Sequence, residues 1–222
     1  KKNLFKFKKN KKNFEVIFID DSSEDGVGKI YNLIKKKYKG LRLLFRKHKP
    51  RDLSKSCILG FEKSKFDNLL VMDGDLQHDP NYIPFLYHKI MSRDYDIVIG
   101  VRNFKKRETV KINLLRFILS KFLILIINLL LGKKSEDPMS GYFIFKKKIY
   151  LNSKKKLFAK GYKILFDLIY SSHYNLKIYD KKIIFKSRTQ NVSKLGIKIL
   201  LYIIQLIIIR FLASLFMFKK GR

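Results

Sequence analysis

Short runs of β-branched and aromatic residues alternate with stretches of helical period over the first hundred residues. Phe14-Glu15-Val16-Ile17-Phe18-Ile19 ends at Asp20-Asp21 and reads as a buried strand. Ile30, Leu33, Ile34 and Tyr38 then recur at helical spacing until Gly40 stops the pattern. Residues 41–45 form a second strand candidate, 54–63 a helix and 68–72 a third strand. Pro80 is placed to open a helix over 82–91, and residues 96–100 form a fourth strand. This alternation predicts an α/β fold with a mostly parallel sheet, in which ligands bind beyond the carboxyl ends of the strands.

The second half has a different texture. In residues 112–131, Asn113, Arg116 and Ser120 share one helical stripe and the other faces are apolar. Residues 199–218 are similar, with Gln205 and Arg210 as the strongly polar side chains. Each reads as a buried core helix or an interfacial helix, and the second also as a membrane span. An Arg near the centre of a span costs roughly 2.5–3.5 kcal/mol. Lysines flank the second segment on both sides, so charge gives no orientation. The pattern favours an interfacial helix over a single C-terminal anchor. The expected division is a main domain over 1–195 and a hydrophobic, membrane-associated tail over 196–222.

Composition excludes two classes. Of the 222 residues 46% are hydrophobic, enough for a packed core rather than disorder. The single cysteine, Cys57, cannot form an intrachain disulfide and reads as a small buried apolar residue. Residues 1–13 hold seven lysines and no long apolar stretch of a signal peptide. The formal charge of +32 is compatible with nucleic acid, with an anionic membrane surface, or with a lysine-rich background.

The acids are more informative than the bases. Residues 138–222 carry 19 Lys and Arg but only Asp167 and Asp180 as acids. Seven of the 18 acids fall in Asp20-Asp21-Ser22-Ser23-Glu24-Asp25 and Asp73-Gly74-Asp75-Leu76-Gln77-His78-Asp79, both at predicted strand ends. Strand side chains alternate in direction, so Asp73 and Asp75 can face one ligand. Two hard oxygen donors, with Gln77 as a neutral third, suit Mg²⁺ or Mn²⁺, which keep waters and bridge to substrate phosphates. His78 reads as a loop residue or a supporting contact rather than a ligand. His48, His88 and His173 show no ligand spacing. Asp167 reads equally as a helix polar-face residue or a functional one.

Taken together, these segments resemble the family 2 glycosyltransferases of the polyprenyl-phosphate hexose synthase (dolichyl-phosphate mannose synthase-like) group. The resemblance rests on Ile19-Asp20-Asp21-Ser22-Ser23-Glu24-Asp25-Gly26, Met72-Asp73-Gly74-Asp75-Leu76-Gln77-His78-Asp79-Pro80 and Gly100-Val101-Arg102. Arg116 with Ser120, Asp137-Pro138-Met139-Ser140-Gly141-Tyr142-Phe143, Gly161-Tyr162-Lys163-Ile164-Leu165 and Arg188 with Ser193-Lys194-Leu195 follow in the same order. It implies a GT-A fold that binds a nucleotide sugar and a divalent metal. By position, Asp20 and Asp21 are implied in binding the nucleotide. Asp73 would place the nucleotide sugar and share the metal with Asp75 and Gln77. Arg102, Arg116, Arg188 and Lys194 would gather the acceptor phosphate and the departing diphosphate. Ser140 and Gly141 would line the sugar pocket, with Asp137 nearby as a candidate base; Asp75, Arg116 and Asp137 are the expected catalytic residues.

The family opens with a strand carrying Pro-x-Tyr/Phe-Asn-Glu, and no segment here matches it. The chain is therefore expected to lack about 30 residues, a strand and most of a helix. Asn191-Val192 stands where the family has Gly-Glu, and Val27 where Thr is common. A processive polysaccharide synthase is disfavoured because its Gln-x-x-Arg-Trp motif needs a tryptophan, and the chain has none. The expected activity is transfer of a hexose, mannose from GDP-mannose, to a polyprenyl phosphate with inversion, at the cytoplasmic face of a membrane. No nucleic-acid partner is expected. The alternative is a basic protein binding nucleic acid or a membrane surface without catalysis.

Overall fold

The computed structural model describes residues 14–24, 26–38, 40–47, 49–75, 77–92, 94–102, 114–172, 175–184 and 197–220. All four expected strands form: β1 (Val16–Asp20), β2 (Leu41–Phe45), β3 (Asn68–Met72) and β4 (Ile97–Arg102). Helices α1 (Val27–Lys37), α2 (Leu53–Lys63) and α3 (Ile83–Met91) alternate with them. Pro80 opens a short 3-10 turn over Pro80–Tyr82 that leads into α3. Asp52 starts α2 by accepting the Lys55 N–H on its carboxylate at 3.0 Å, an N-cap.

The second half adds α4 (Leu114–Leu131), β5 (Tyr142–Lys146), α5 (Lys147–Ser153), α6 (Ile164–Ser171), β6 (Ile178–Ile183) and α7 (Ile197–Lys220). β1 and β2 pair in parallel as one sheet; the other runs β3-β5-β4-β6. β4 and β6 are parallel, while β5 is antiparallel to both its neighbours. So β3, β4 and β6 point one way and β5 is inserted against them, an α/β sheet that is mixed rather than uniform. Sequence reading did not foresee β5 or β6. β5 lies inside a motif, and Ile-Tyr-Asp-Lys-Lys-Ile of β6 has the polar look of an edge strand.

The central strands are dry on both faces, as a continuous apolar run requires. Ile97, Ile99, Val101, Phe143 and Phe145 turn to one side, against Phe61 of α2, Ile149 and Tyr150 of α5, and Leu165 and Leu168 of α6. Val98, Tyr142 and Ile144 turn to the other, against Leu86 and Ile90 of α3. A third cluster joins Leu123 and Ile127 of α4, Phe166 of α6, and Ile203, Leu206 and Ile207 of α7. α1 differs from the rest, for it buries no residue, and Ile30, Leu33, Phe18 and Phe45 are left exposed around it.

Both long apolar helices are therefore two-faced. One face of each enters the core, while Phe122, Leu125 and Leu129 of α4 and Leu201, Ile204, Ile208 and Leu212 of α7 point outward. Among the described residues no helix is long and apolar enough to cross a membrane. Arg210, which a span would leave in lipid, instead faces the protein. Its guanidinium lies 2.5 Å from Asp167 Oδ1 on α6 and donates to the Lys156 carbonyl at 2.6 Å. Asp167 is thus a buried structural partner, and α7 contributes Ile203, Leu206, Ile207 and Arg210 to the folded body.

Removing one member of such a pair strands the other charge. R210M is expected to cost about 3–5 kcal/mol. D167N/R210M should be more stable than R210M alone, because the unpaired carboxylate is gone; urea unfolding of the three proteins measures this.

Candidate functional site

The site forms where strands end. β1 runs out at Asp20, β3 at Met72 just before Asp73, and β4 at Arg102. Because β5 runs the opposite way, its first residues lie beside the last residues of its neighbours, with Tyr142 opposite Met72 and Phe143 opposite Ile99. The antiparallel insertion thereby brings Ser140 and Gly141 to the carboxyl ends of β3 and β4. Ser140 Oγ donates to the Gly100 carbonyl at 2.7 Å and closes that junction.

Gly141 lies against the Asp73 carboxylate. A Cβ there would sit 2.3 Å from Asp73 Oδ2 and 3.0 Å from Oδ1, so no larger residue fits without moving the acid. His78, buried beneath, places Nε2 3.5 Å from Asp73 Oδ2 and its ring 5.0 Å from that of Tyr142. The Tyr142 hydroxyl donates to the Asp79 carbonyl at 3.2 Å. Burial, and then Asp79, push that phenol well above its ordinary value, which keeps it a donor. His78 is thus a supporting contact to Asp73, one of the two roles its sequence allowed.

Arg102 and Asp137 form a two-point fork, Nε to Oδ2 at 2.6 Å and Nη2 to Oδ1 at 2.9 Å. Asp137 is 1% exposed, and its N–H donates to Ser135 Oγ at 3.1 Å. Burial works against the Arg102 charge, but Asp137 and then Asp73 outweigh it and raise the pKa above the ordinary guanidinium value. Arg102 therefore stands charged against Asp137. Both Asp137 carboxylate oxygens accept from Arg102, so the two side chains hold each other in place.

Asp75 and Gln77 follow β3 in a turn in which Asp75 Oδ1 accepts the Gln77 N–H at 3.2 Å. The strand has ended at Met72, so pleat alternation is not what places Asp73 and Asp75; the turn is. Among the described residues no three His, Cys, Asp or Glu side chains gather around one point. Two carboxylates and an amide oxygen fit a cation that takes its other oxygens from water and a diphosphate.

The β1 end is a second cluster. Asp20 is buried, and its Oδ1 accepts the Ser23 N–H at 3.1 Å, so it organises its own loop. Asp21 is paired through Oδ1 with Arg46 at 2.6 Å, and its Oδ2 accepts the Asp52 N–H at 2.5 Å. Ser22, at φ 58°, donates its hydroxyl to the Arg46 carbonyl at 2.8 Å. Sequence reading missed Arg46 and Asp52 here. Cys57 lies one turn into α2, where burial, then Asp73 and Asp52, push its thiol up to about 12, far from a reactive thiolate. Arg116 lies in the first turn of α4. Arg188 and Lys194 lie outside the described residues.

Residues 2–152 match Glycosyl transferase family 2. The chain belongs to that family. It is similar to the dolichol-phosphate mannosyltransferase of Pyrococcus furiosus, at 31% identity over 185 residues, 82% of this chain and 51% of the relative. It is also similar to the Saccharomyces cerevisiae dolichol-phosphate mannosyltransferase, at 28% identity over 224 residues, 95% of this chain and 77% of that protein. This family 2 chain thus spans about half the length of its Pyrococcus relative. In fold it resembles glucosyl-3-phosphoglycerate synthase from Mycobacterium tuberculosis, solved with Mn²⁺, UDP-glucose and phosphoglyceric acid. There the TM-score is 0.62 at 16% identity, over 88% of this chain and 68% of that one. The expected GT-A-like α/β architecture is present.

The Gly141 contact yields a test. Asp73 is a movable, partly exposed side chain, so G141A should displace the carboxylate without unfolding the sheet. We expect a melting temperature within a few degrees of the parent and nucleotide affinity weakened about tenfold or more, about 1.4 kcal/mol by calorimetry.

Proposed function

We propose that this family 2 chain transfers a hexose from a nucleotide sugar to a polyprenyl phosphate, with mannose from GDP-mannose as donor and inversion at the anomeric carbon. The observation that carries the reading is the meeting of Asp73, Gly141, Ser140 and the Arg102–Asp137 fork at one sheet edge. The names of the two mannosyltransferase relatives support the choice of sugar and acceptor. A nucleic-acid reading leaves these inward-turned acids without a role.

The chemistry follows from charge. A phosphate monoester has a second pKa near 6, so the acceptor is anionic at neutral pH and needs no strong protein base. Its oxygen attacks the anomeric carbon, and the bond to the nucleoside diphosphate breaks with both electrons leaving on a phosphate oxygen. Arg102, held charged by Asp137, sits where a fork can meet phosphate oxygens. Arg116, Arg188 and Lys194 would complete that basic set. Asp73 is steered by Gly141 and His78 toward the sugar nucleotide, and Asp21 lies at the nucleotide end. A divalent ion, Mg²⁺ or Mn²⁺, held by Asp73, Asp75 and Gln77 would supply positive charge to the departing diphosphate.

The outward faces of α4 and α7 fit a membrane surface. Leu129 is 82% exposed and Leu125 63%, and Lys121, Lys133 and Lys134 are exposed nearby in sequence. An apolar strip of this kind buries in the interface, and each adjacent lysine adds about 1 kcal/mol on anionic lipid.

Two experiments test the reading. With full-length protein, GDP-mannose, Mg²⁺ or Mn²⁺ and a polyprenyl phosphate in detergent, D75A should form glycolipid at least about a hundredfold more slowly, a loss of about 2.7 kcal/mol. A rate equal to the parent's removes the metal assignment. Flotation with anionic liposomes should fall sharply in L125S/L129S/I208S. Point changes serve better than deletion of 199–218, which would strip Ile203, Leu206 and Ile207 from the core.

A further inference from the structure

The connection from α5 to α6 has no part in the reaction as argued so far, yet it is held at both ends by buried acids. At one end the Gly161 N–H donates to Asp52 Oδ2 at 2.8 Å, and the Gly161 carbonyl accepts the Ser54 N–H at 2.9 Å. At the other, the Ala159 N–H donates to Asp167 Oδ2 at 3.0 Å, and Arg210 holds the Lys156 carbonyl. Between them Ala159 and Gly161 take φ of 55° and 86°. Tyr202 of α7 closes over Gly161, where a Cβ would lie 3.2 Å from the Tyr202 Cβ. Lys163 Nζ reaches the Met139 carbonyl at 3.3 Å, next to Ser140.

Asp52 is the junction. Its carboxylate takes the α2 cap on one oxygen and Gly161 on the other, while its N–H goes to Asp21. It is 7% exposed, so none of these bonds competes freely with water. Arg46, the other partner of Asp21, is equally buried and donates to the Pro50 carbonyl two residues before Asp52. The position of the Asp21 carboxylate is therefore set by a segment whose own position is set by Gly161.

We propose that Asp52 is a positioning residue for the nucleotide end of the site, locking Asp21 in place through its bond to Gly161 and, through that loop, to α6 and α7. Its kinetic consequence rests on the glycosyltransferase reading; its structural consequence does not. A helix-capping role alone predicts otherwise. Asn and Ser cap helices about as well as Asp, so D52N and D52S keep α2. Asn has one acceptor oxygen for two N–H donors, and Ser is too short to serve both. Either change leaves the Gly161 N–H unsatisfied while the cap survives.

The test uses the full-length protein, with GDP and Mn²⁺ as probes in calorimetry and hydrogen exchange read by mass spectrometry. In D52N and D52S, exchange should quicken at 157–163 and at 20–23, with α2 unchanged. GDP affinity should fall about tenfold, in line with the loss of a hydrogen bond to a charged group. In turnover, KM for GDP-mannose should rise while KM for the polyprenyl phosphate holds. Parent-like exchange at 157–163 and 20–23 in both variants overturns the proposal, as does parent-like GDP affinity. If the parent binds GDP but makes no glycolipid, the transferase reading fails while the exchange and affinity arms still decide the role of Asp52.

Discussion

The antiparallel insertion of β5 between β3 and β4 is the constraint on which the site depends. Had β5 run with its neighbours, Ser140 and Gly141 would lie at the far edge of the sheet, a strand length from Asp73. Inserted against them, the strand starts where they end. The close approach of Gly141 to Asp73 and the Ser140 bond to Gly100 then follow from register. The insertion is stable because Tyr142, Phe143, Ile144 and Phe145 are all buried between layers of helices. Packing decides where this chemistry sits.

Charge decides how finely it is held. In a chain of +32 several of the scarce acids turn inward and act as clamps. Glu15 accepts from Arg42 and from the Lys65 N–H, tying the start of β1 to the turn after α2. Asp180 accepts from Ser135 Oγ and the Glu136 N–H, fixing the segment that carries Asp137. Its pKa is raised, because burial outweighs those two hydrogen bonds. Asp167 and Asp52 clamp the α5–α6 connection in the same manner. Among the described residues most lysines are left to the surface.

Legibility in the sequence followed the range of the interaction. β1 to β4 and the helices between them were readable because apolar period and turn residues are local signals. So was the strand-end placement of Asp21 and Asp73. β6 was hidden because Asp180, Lys181 and Lys182 break its apolar pattern, although Asp180 faces a partner 45 residues away. Asp52 was not among the residues that the sequence singled out. Its bond to Gly161 spans 109 residues, and no local pattern announces it. Asp137 was legible as part of a motif, but its two-point pairing with Arg102, 35 residues away, was not. The apolar helices carried two messages at once, core and outer surface, and only packing separates the faces.

We propose that the acids after β3 and the loop after β1 form one site for a metal-bound nucleoside diphosphate. Mn²⁺ titrated into the full-length protein with GDP, followed by electron paramagnetic resonance of the free aquo ion, tests it most directly. We expect weak loss of the free-ion signal without GDP, a much steeper loss with GDP, and no such gain in D73N or D75N. A free-ion signal that GDP leaves unchanged in the parent, or lowers equally in both variants, would contradict it.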